Sequence, residues 1–284
     1  MNQRTINKET AFSGKALQTG ADVSVVCKPL GTGEGIVFVR TDSPSSVSVT
    51  GREGVFSSEG ERRTTVGTGG SSVQTVEHLM AALWALGIDN IRVEVFGEEL
   101  PALDGSAKGF MEALRKGGIK EQNAPREAIR ITGKEEVREG NASITLMPHD
   151  GFRVSYAIDY PVRSIKKETF AMELDSASFE REIAGARTFC LKHEAEMLMK
   201  AGLGKGADFE NTLVMDEEGP IGTTLKFRNE PVRHKILDLV GDLYLLGRPL
   251  ICEVSAERSG HALNGKMVKL IYDKYVKKTK DDIE

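Results

Sequence analysis

The chain has 284 residues, 39% hydrophobic and 28% charged, enough to bury one large or two modest cores. A net charge of −4 offers no general basic surface, so nucleic acid is not an expected partner, and three cysteines without CxxC spacing exclude a structural cysteine zinc site and suit a reducing compartment. The first residues lack the apolar core of a signal peptide and no apolar run approaches the ~20 residues of a membrane span, so a cytoplasmic monomer with no transmembrane segment is expected.

Residues 4–12, 22–27, 35–40 and 46–49 read as strands, because short β-branched and polar runs alternate with glycine punctuation. Residues 59–72, with Arg62, Arg63 and several glycines, read as an exposed loop. A helix is predicted over 73–86, where Val76, Leu79, Met80, Leu83 and Leu86 recur at helical spacing before Gly87. A strand over 90–96 and a helix over 108–115, entered through Asp104-Gly-Ser106, follow. Residues 120–126 read as a linker.

The second half begins with strands over 128–132, 142–147, 152–159 and 169–174. A short helix over 193–200, a strand over 212–215, a helix over 229–246, a strand over 250–254 and a helix over 259–275 complete it, and the charged tail 277–284 is expected to fray. Both halves run several strands, a helix with an inward histidine, a strand and a last helix. That order predicts two similar α+β domains, residues 1–122 and 127–276.

The helix over 229–246 carries the main chemical clue. His234, Asp238 and Asp242 stack at four-residue spacing, nearly opposite the stripe of Val232, Ile236, Leu239, Leu243 and Leu246. Leu237, Tyr244 and Leu245 flank them, so the helix is apolar nearly all round and should be buried. Buried imidazoles and carboxylates need partners or a cation. His149 sits in a turn and His193 on a polar helix, which leaves His78 and His261 as further candidates.

His78 shares a helix face with Ala81, Ala82 and Ala85, small enough for a second helix to approach closely, and Glu77 beside it is a candidate general base. His261 opens the last helix, where Asp242 would restore the imidazolium that a helix N-terminus disfavours. An interface histidine at 78, and a capping histidine at 261 with Asp242 solvated, are the plainer alternatives. The Gly202-Leu-Gly-Lys-Gly206 run matches neither phosphate-loop pattern and reads as a flexible loop.

Six blocks then resemble one family in order across nearly the whole chain: Thr75-Val-Glu-His-Leu-Met-Ala-Ala-Leu83, Gly87-Ile-Asp-Asn90, Leu103-Asp-Gly-Ser-Ala107, Ala186-Arg-Thr-Phe189, Glu230-Pro-Val-Arg-His-Lys-Ile-Leu-Asp238 and Gly260-His-Ala-Leu-Asn264. They are similar to the UDP-3-O-acyl-N-acetylglucosamine deacetylases, the LpxC enzymes of lipid A biosynthesis. The resemblance implies two α+β domains, each a sheet layer packed on helices, with the active site in the cleft between them. It implies zinc, with iron as an alternative ion, on His78, His234 and Asp238, and hydrolysis of the N-acetyl group of a UDP-sugar lipid with release of acetate.

Glu77 would be the general base, Thr188 would hydrogen-bond the oxyanion, and His261, oriented by Asp242, would protonate the leaving amine or stabilise charge. Phe189 would line the acetyl pocket, Lys235 would meet the UDP phosphates, and Asp159-Tyr160 would sit at the uridine. Residues 190–213 would form an acyl-chain passage with Met197, Leu198, Leu203 and Leu213. One block departs: where the family reads Gly-x-Gly-Leu-His-Ser/Thr-Gly, this chain has Gly14-Lys-Ala-Leu-Gln18-Thr-Gly20. A non-catalytic relative that binds a nucleotide sugar or metal is the rival reading, and retention of Glu77, Asp242 and His261 weighs against it.

Overall fold

Two sheets with one strand order organise the chain, seen in a computed structural model that describes residues 1–43, 46–48, 56–57, 62–67 and 72–277. In the first half the order is Thr10–Lys15, Asp22–Pro29, Ile91–Phe96, Ile36–Arg40, Ser46–Ser48. In the second it is Glu135–Glu139, Ala142–Met147, Leu250–Glu257, Phe152–Ile158, Glu168–Glu173. Each time the fifth strand in sequence enters between the second and third, antiparallel to the second and parallel to the third. The expected pair of α+β units is therefore present.

Period-two burial makes these layers. Ile91, Val93 and Val95 are buried on one face of their strand, as are Phe152, Val154, Tyr156 and Ile158 on theirs. Among the described residues six α-helices cover the buried faces and shape the cleft: α1 (Glu77–Leu86), α2 (Lys108–Lys116), α3 (Ser176–Glu182), α4 (Lys192–Lys200), α5 (Glu230–Leu243) and α6 (His261–Ile271). None among the described residues is long and apolar enough to cross a membrane. α1 and α5 are buried almost all round, Trp84 and Arg233 being their less covered residues.

They cross backbone to backbone. A Cβ at Gly241 would lie 2.0 Å from the Glu77 carbonyl oxygen and 3.2 Å from the Ala81 nitrogen, so only glycine lets the two helices meet this closely. The alanine face of α1 was expected to admit a second helix, and Gly241 is its counterpart on α5.

Several predicted boundaries move. The helix expected over 73–86 starts at Glu77, because Val73–Gln74 pairs as a strand and Thr75, at φ 58°, redirects the chain while its hydroxyl bonds Glu99 Oε1 at 3.1 Å. Residues 4–12 split into Asn2–Ile6 and Thr10–Lys15, and the supposed linker is the strand Ile119–Pro125, paired with Asn2–Ile6. The helix over 229–246 ends in a 3-10 turn, Tyr244–Leu246, and that over 259–275 ends in a π turn, Tyr272–Val276. The short strand expected over 128–132 shrinks to Ile129–Arg130. α3, capped by Asp175 and Ser178, and the charged strand Glu135–Glu139 were not foreseen. Val49, half of the 59–72 loop (59–61 and 68–71) and the tail beyond 277 lie outside the described residues.

Candidate metal centre and catalytic site

The α1–α5 crossing brings His78, His234 and Asp238 together, one donor atom from each lying within 4.8 Å of the others. Asp238 Oδ1 is 3.2 Å from His234 Nε2 and 3.7 Å from His78 Nε2. The His234 ring donates from Nδ1 to the Ala186 carbonyl at 3.0 Å, which leaves the Nε2 lone pair turned into the site. Ala186 is itself fixed by its neighbour Arg187, whose backbone N–H and side chain both bond the buried Glu230 carboxylate.

Asp238 Oδ2 accepts from Lys235 Nζ at 2.8 Å, whereas Oδ1 is buried with no hydrogen-bond partner among the described residues. An unsatisfied buried carboxylate oxygen is costly, and one facing two imidazole nitrogens is the setting a divalent cation satisfies. Burial works against ionisation of Asp238, but its interactions with the His234 ring and the Lys235 ammonium hold its carboxyl well below the usual range. Burial lowers the His78 pKa against the pull of Asp238, favouring the neutral form that ligates. The donor set thus fits a metal.

Beside it stand a carboxyl and an imidazole whose pKa values both lie above their ordinary ranges. Burial raises the Glu77 carboxyl, the His261 charge opposes, Asp242 and Asp238 add to the rise, and the result is about 7. For His261 burial lowers the pKa, but Asp242 and Glu77 outweigh it and push it up to about 9. His261 Nδ1 donates to Asp242 Oδ2 at 2.8 Å, while Nε2 points into the site, 3.9 Å from Glu77 Oε1 and 3.8 Å from Asp238 Oδ2. A carboxylate that accepts protons near neutrality opposite an imidazolium that holds one is the arrangement of paired general base and general acid.

Two further residues complete this cluster. Asn264 donates to Asp242 Oδ2 at 2.7 Å, and Thr64 donates its hydroxyl to Asp242 Oδ1 at 2.6 Å and its backbone N–H to Glu77 Oε2 at 3.0 Å. Asn264 had a sequence signal, standing three residues after His261 on one helix face. Thr64 had none, since its segment shows no periodicity.

Glu77, His78, His234, Asp238 and His261 line a cavity of about 690 Å³. Thr188 and Phe189, on the strand Thr188–Leu191, form a wall, with Phe189 edge-on to Tyr160 at 5.4 Å and to His234 at 6.3 Å. Lys235 also lines the cavity, but its ammonium is bound to Asp238 rather than held out at the mouth. Leu198 of α4 lines the same cavity. Leu203 lies outside the lining and is 36% exposed, Met197 is 59% exposed, and Leu213 is in the core. Asp159 pairs with Arg258.

The 202–206 run is docked rather than loose. Lys205 and Gly206 donate to the Gln18 and Leu17 carbonyls at 3.2 and 3.1 Å, and a Cβ at Gly206 would lie 2.1 Å from the Ala16 oxygen. Gln18, which stands where the resembled family has histidine, lines the cavity, and its Oε1 is buried without a hydrogen-bond partner among the described residues. An ion pair between Arg62 and Glu194 ties α4 to the segment that carries Thr64.

Comparison with known proteins follows the same lines. Residues 3–273 match the family model described as UDP-3-O-acyl N-acetylglycosamine deacetylase, LpxC. A curated UDP-3-O-acyl-N-acetylglucosamine deacetylase of Myxococcus xanthus is 41% identical over 271 residues, which cover 95% of this chain and 86% of that protein.

Proposed function

The chain belongs to the UDP-3-O-acyl N-acetylglycosamine deacetylase family, and from that premise we infer how its residues divide the work. It is a metal-dependent enzyme that deacetylates UDP-3-O-acyl-N-acetylglucosamine, a small-molecule substrate, in lipid A biosynthesis. The metal is assigned to His78, His234 and Asp238, and the ion to zinc, for which two imidazoles, one carboxylate and an open position are a catalytic donor set. Iron suits the same donors. When bound, the ion supplies a Lewis acid for the acetyl carbonyl and lowers the pKa of a water.

The chain's own groups then move protons and hold the substrate. Glu77 accepts the proton of the attacking water at Oε1, the oxygen left open when Thr64 takes Oε2. His261 delivers a proton from Nε2 to the leaving amine, its charge held by Asp242. Thr188 hydrogen-bonds the oxyanion and Phe189 lines the acetyl pocket. Tyr160 stands at the uridine, and Leu198 walls the acyl passage with Leu203 at its rim, beside Gly204. Lys235 holds the Asp238 carboxylate, and contact with a substrate phosphate would require its ammonium to leave Asp238.

The observation that carries this reading is Asp238 Oδ1, buried without a hydrogen-bond partner among the described residues and facing two imidazoles. The reading also puts the enzyme in the cytoplasm as a monomer that does not bind nucleic acid. Free Cys27, Cys190 and Cys252 agree with a reducing compartment, the ligand set comes from a single chain, and the net charge is −4. The test is acetate release from the purified protein and its UDP-acyl-sugar substrate, before chelation, after it, and after restoration with zinc or iron. Loss on chelation with recovery on zinc is expected. Release that chelation of folded protein leaves unchanged would overturn the metal assignment.

A further inference from the structure

We propose that Thr64 is a positioning residue that fixes the general base and the acid pair of the deacetylase in one frame, a role that rests on the reading of Glu77 and His261 given above. Thr64 is 2% exposed and is itself held, its carbonyl accepting the Val76 N–H at 3.3 Å while Thr65–Val66 pairs with Val73–Gln74. Its backbone N–H on Glu77 Oε2 fixes which carboxylate oxygen faces His261. The hydroxyl has one proton, and that proton goes to Asp242 Oδ1 at 2.6 Å. Its lone pair lies 3.1 Å from His261 Nδ1, where it accepts a share of the N–H directed at Asp242.

The distribution of donors around Asp242 explains why one hydroxyl matters. Oδ2 receives His261 and Asn264, whereas Thr64 is the partner of Oδ1 among the described hydrogen bonds. Without it a buried carboxylate oxygen is left unsatisfied, and the carboxylate is free to turn about the bond that aims it at His261. Because Thr64 precedes α1 while Asp242 and His261 belong to α5 and α6, the residue also ties the two units together beside the reacting groups. Serine would keep these bonds and valine would keep only the backbone bond to Glu77.

Thr64→Val is expected to lower kcat about 10- to 100-fold, the loss of one hydrogen bond to a charged group, with KM and bound metal unchanged. Thr64→Ser is expected within about twofold of the parent enzyme, and adding Thr64→Val to Asp242→Ala should cost less than about twofold more, since both act through one carboxylate. Thr64→Ala carries the same comparison with serine should the valine variant fold poorly. A kcat for the hydroxyl-free variants within twofold of the parent, an equal loss in Thr64→Ser, or full additivity with Asp242→Ala would overturn the proposal. Glu77→Ala and His261→Ala measured alongside separate the cases: if these retain parental turnover, the assignment of base and acid fails, and if they are impaired while Thr64→Val is not, only the role of Thr64 fails.

Discussion

Replacing Gly241 with alanine sets two physical effects against each other. In an exposed helix the substitution stabilises by about 1 kcal/mol, through the better helix propensity of alanine. Here the new methyl carbon would sit 2.0 Å from the Glu77 carbonyl oxygen, over an ångström inside normal contact, and the obstacle is backbone rather than a flexible side chain. α1 and α5 must separate by about 1 Å, an overpacking strain of about 1–3 kcal/mol that exceeds the propensity gain. The same shift draws His78 away from His234 and Asp238, and a misplacement of that size costs about 100-fold in turnover. Urea unfolding should show a lower midpoint at unchanged slope, and competition with a chromophoric chelator should show weakened metal binding. A Gly241→Ala protein as stable as its parent, with parental metal affinity, would refute the claim that this crossing sets the site.

Other outcomes follow from the same geometry. Glu77→Ala should retain metal and lose at least about 100-fold in kcat, while Asp238→Ala should lose the metal, as read by elemental analysis; equal metal loss in both would refute the separation of base from ligand. Activity should be bell-shaped in pH. It rises as Glu77 loses its proton and falls as His261 loses its own, with limbs at or below about 7 and about 9 because a bound cation depresses both pKa values. A log kcat/KM profile flat from pH 5 to 10 would contradict the pairing. Lys235→Ala should destabilise the metal-free protein by about 3 kcal/mol, the cost of breaking a buried ion pair, and a variant changed only in KM would instead favour a direct contact with substrate phosphate.

The parts of the site that were readable from sequence lay on helices. Four-residue spacing placed His234, Asp238 and Asp242 on one face, and the alanines beside His78 suggested a close helix contact, so periodicity made one crossing of the two helices a candidate site while leaving an interface histidine open. What escaped was set by contacts distant in sequence. Thr64 reaches Asp242 across 178 residues from a segment without repeat. The strand Ile119–Pro125 passed for a linker because an exposed two-stranded ribbon has no apolar face to alternate. Thr75 delayed the start of the apparent helix through a left-handed backbone fixed by Glu99, and Lys235 turned inward onto Asp238.

α1 and α5 each lie between the fourth and fifth strands of their sheets, so the crossing at Gly241 sets topologically equivalent helices face to face. In a symmetric dimer of one unit, any residue offered by one helix would be offered again by the other. Joining two copies in one chain removes that constraint and lets the facing surfaces diverge, one presenting Glu77 and His78, the other His234, Asp238 and Asp242. Hydrolysis of an amide calls for unlike groups on opposite sides of a single bond. Two units of one architecture that differ in sequence supply that asymmetry without giving up the shared strand order that holds the helices in register.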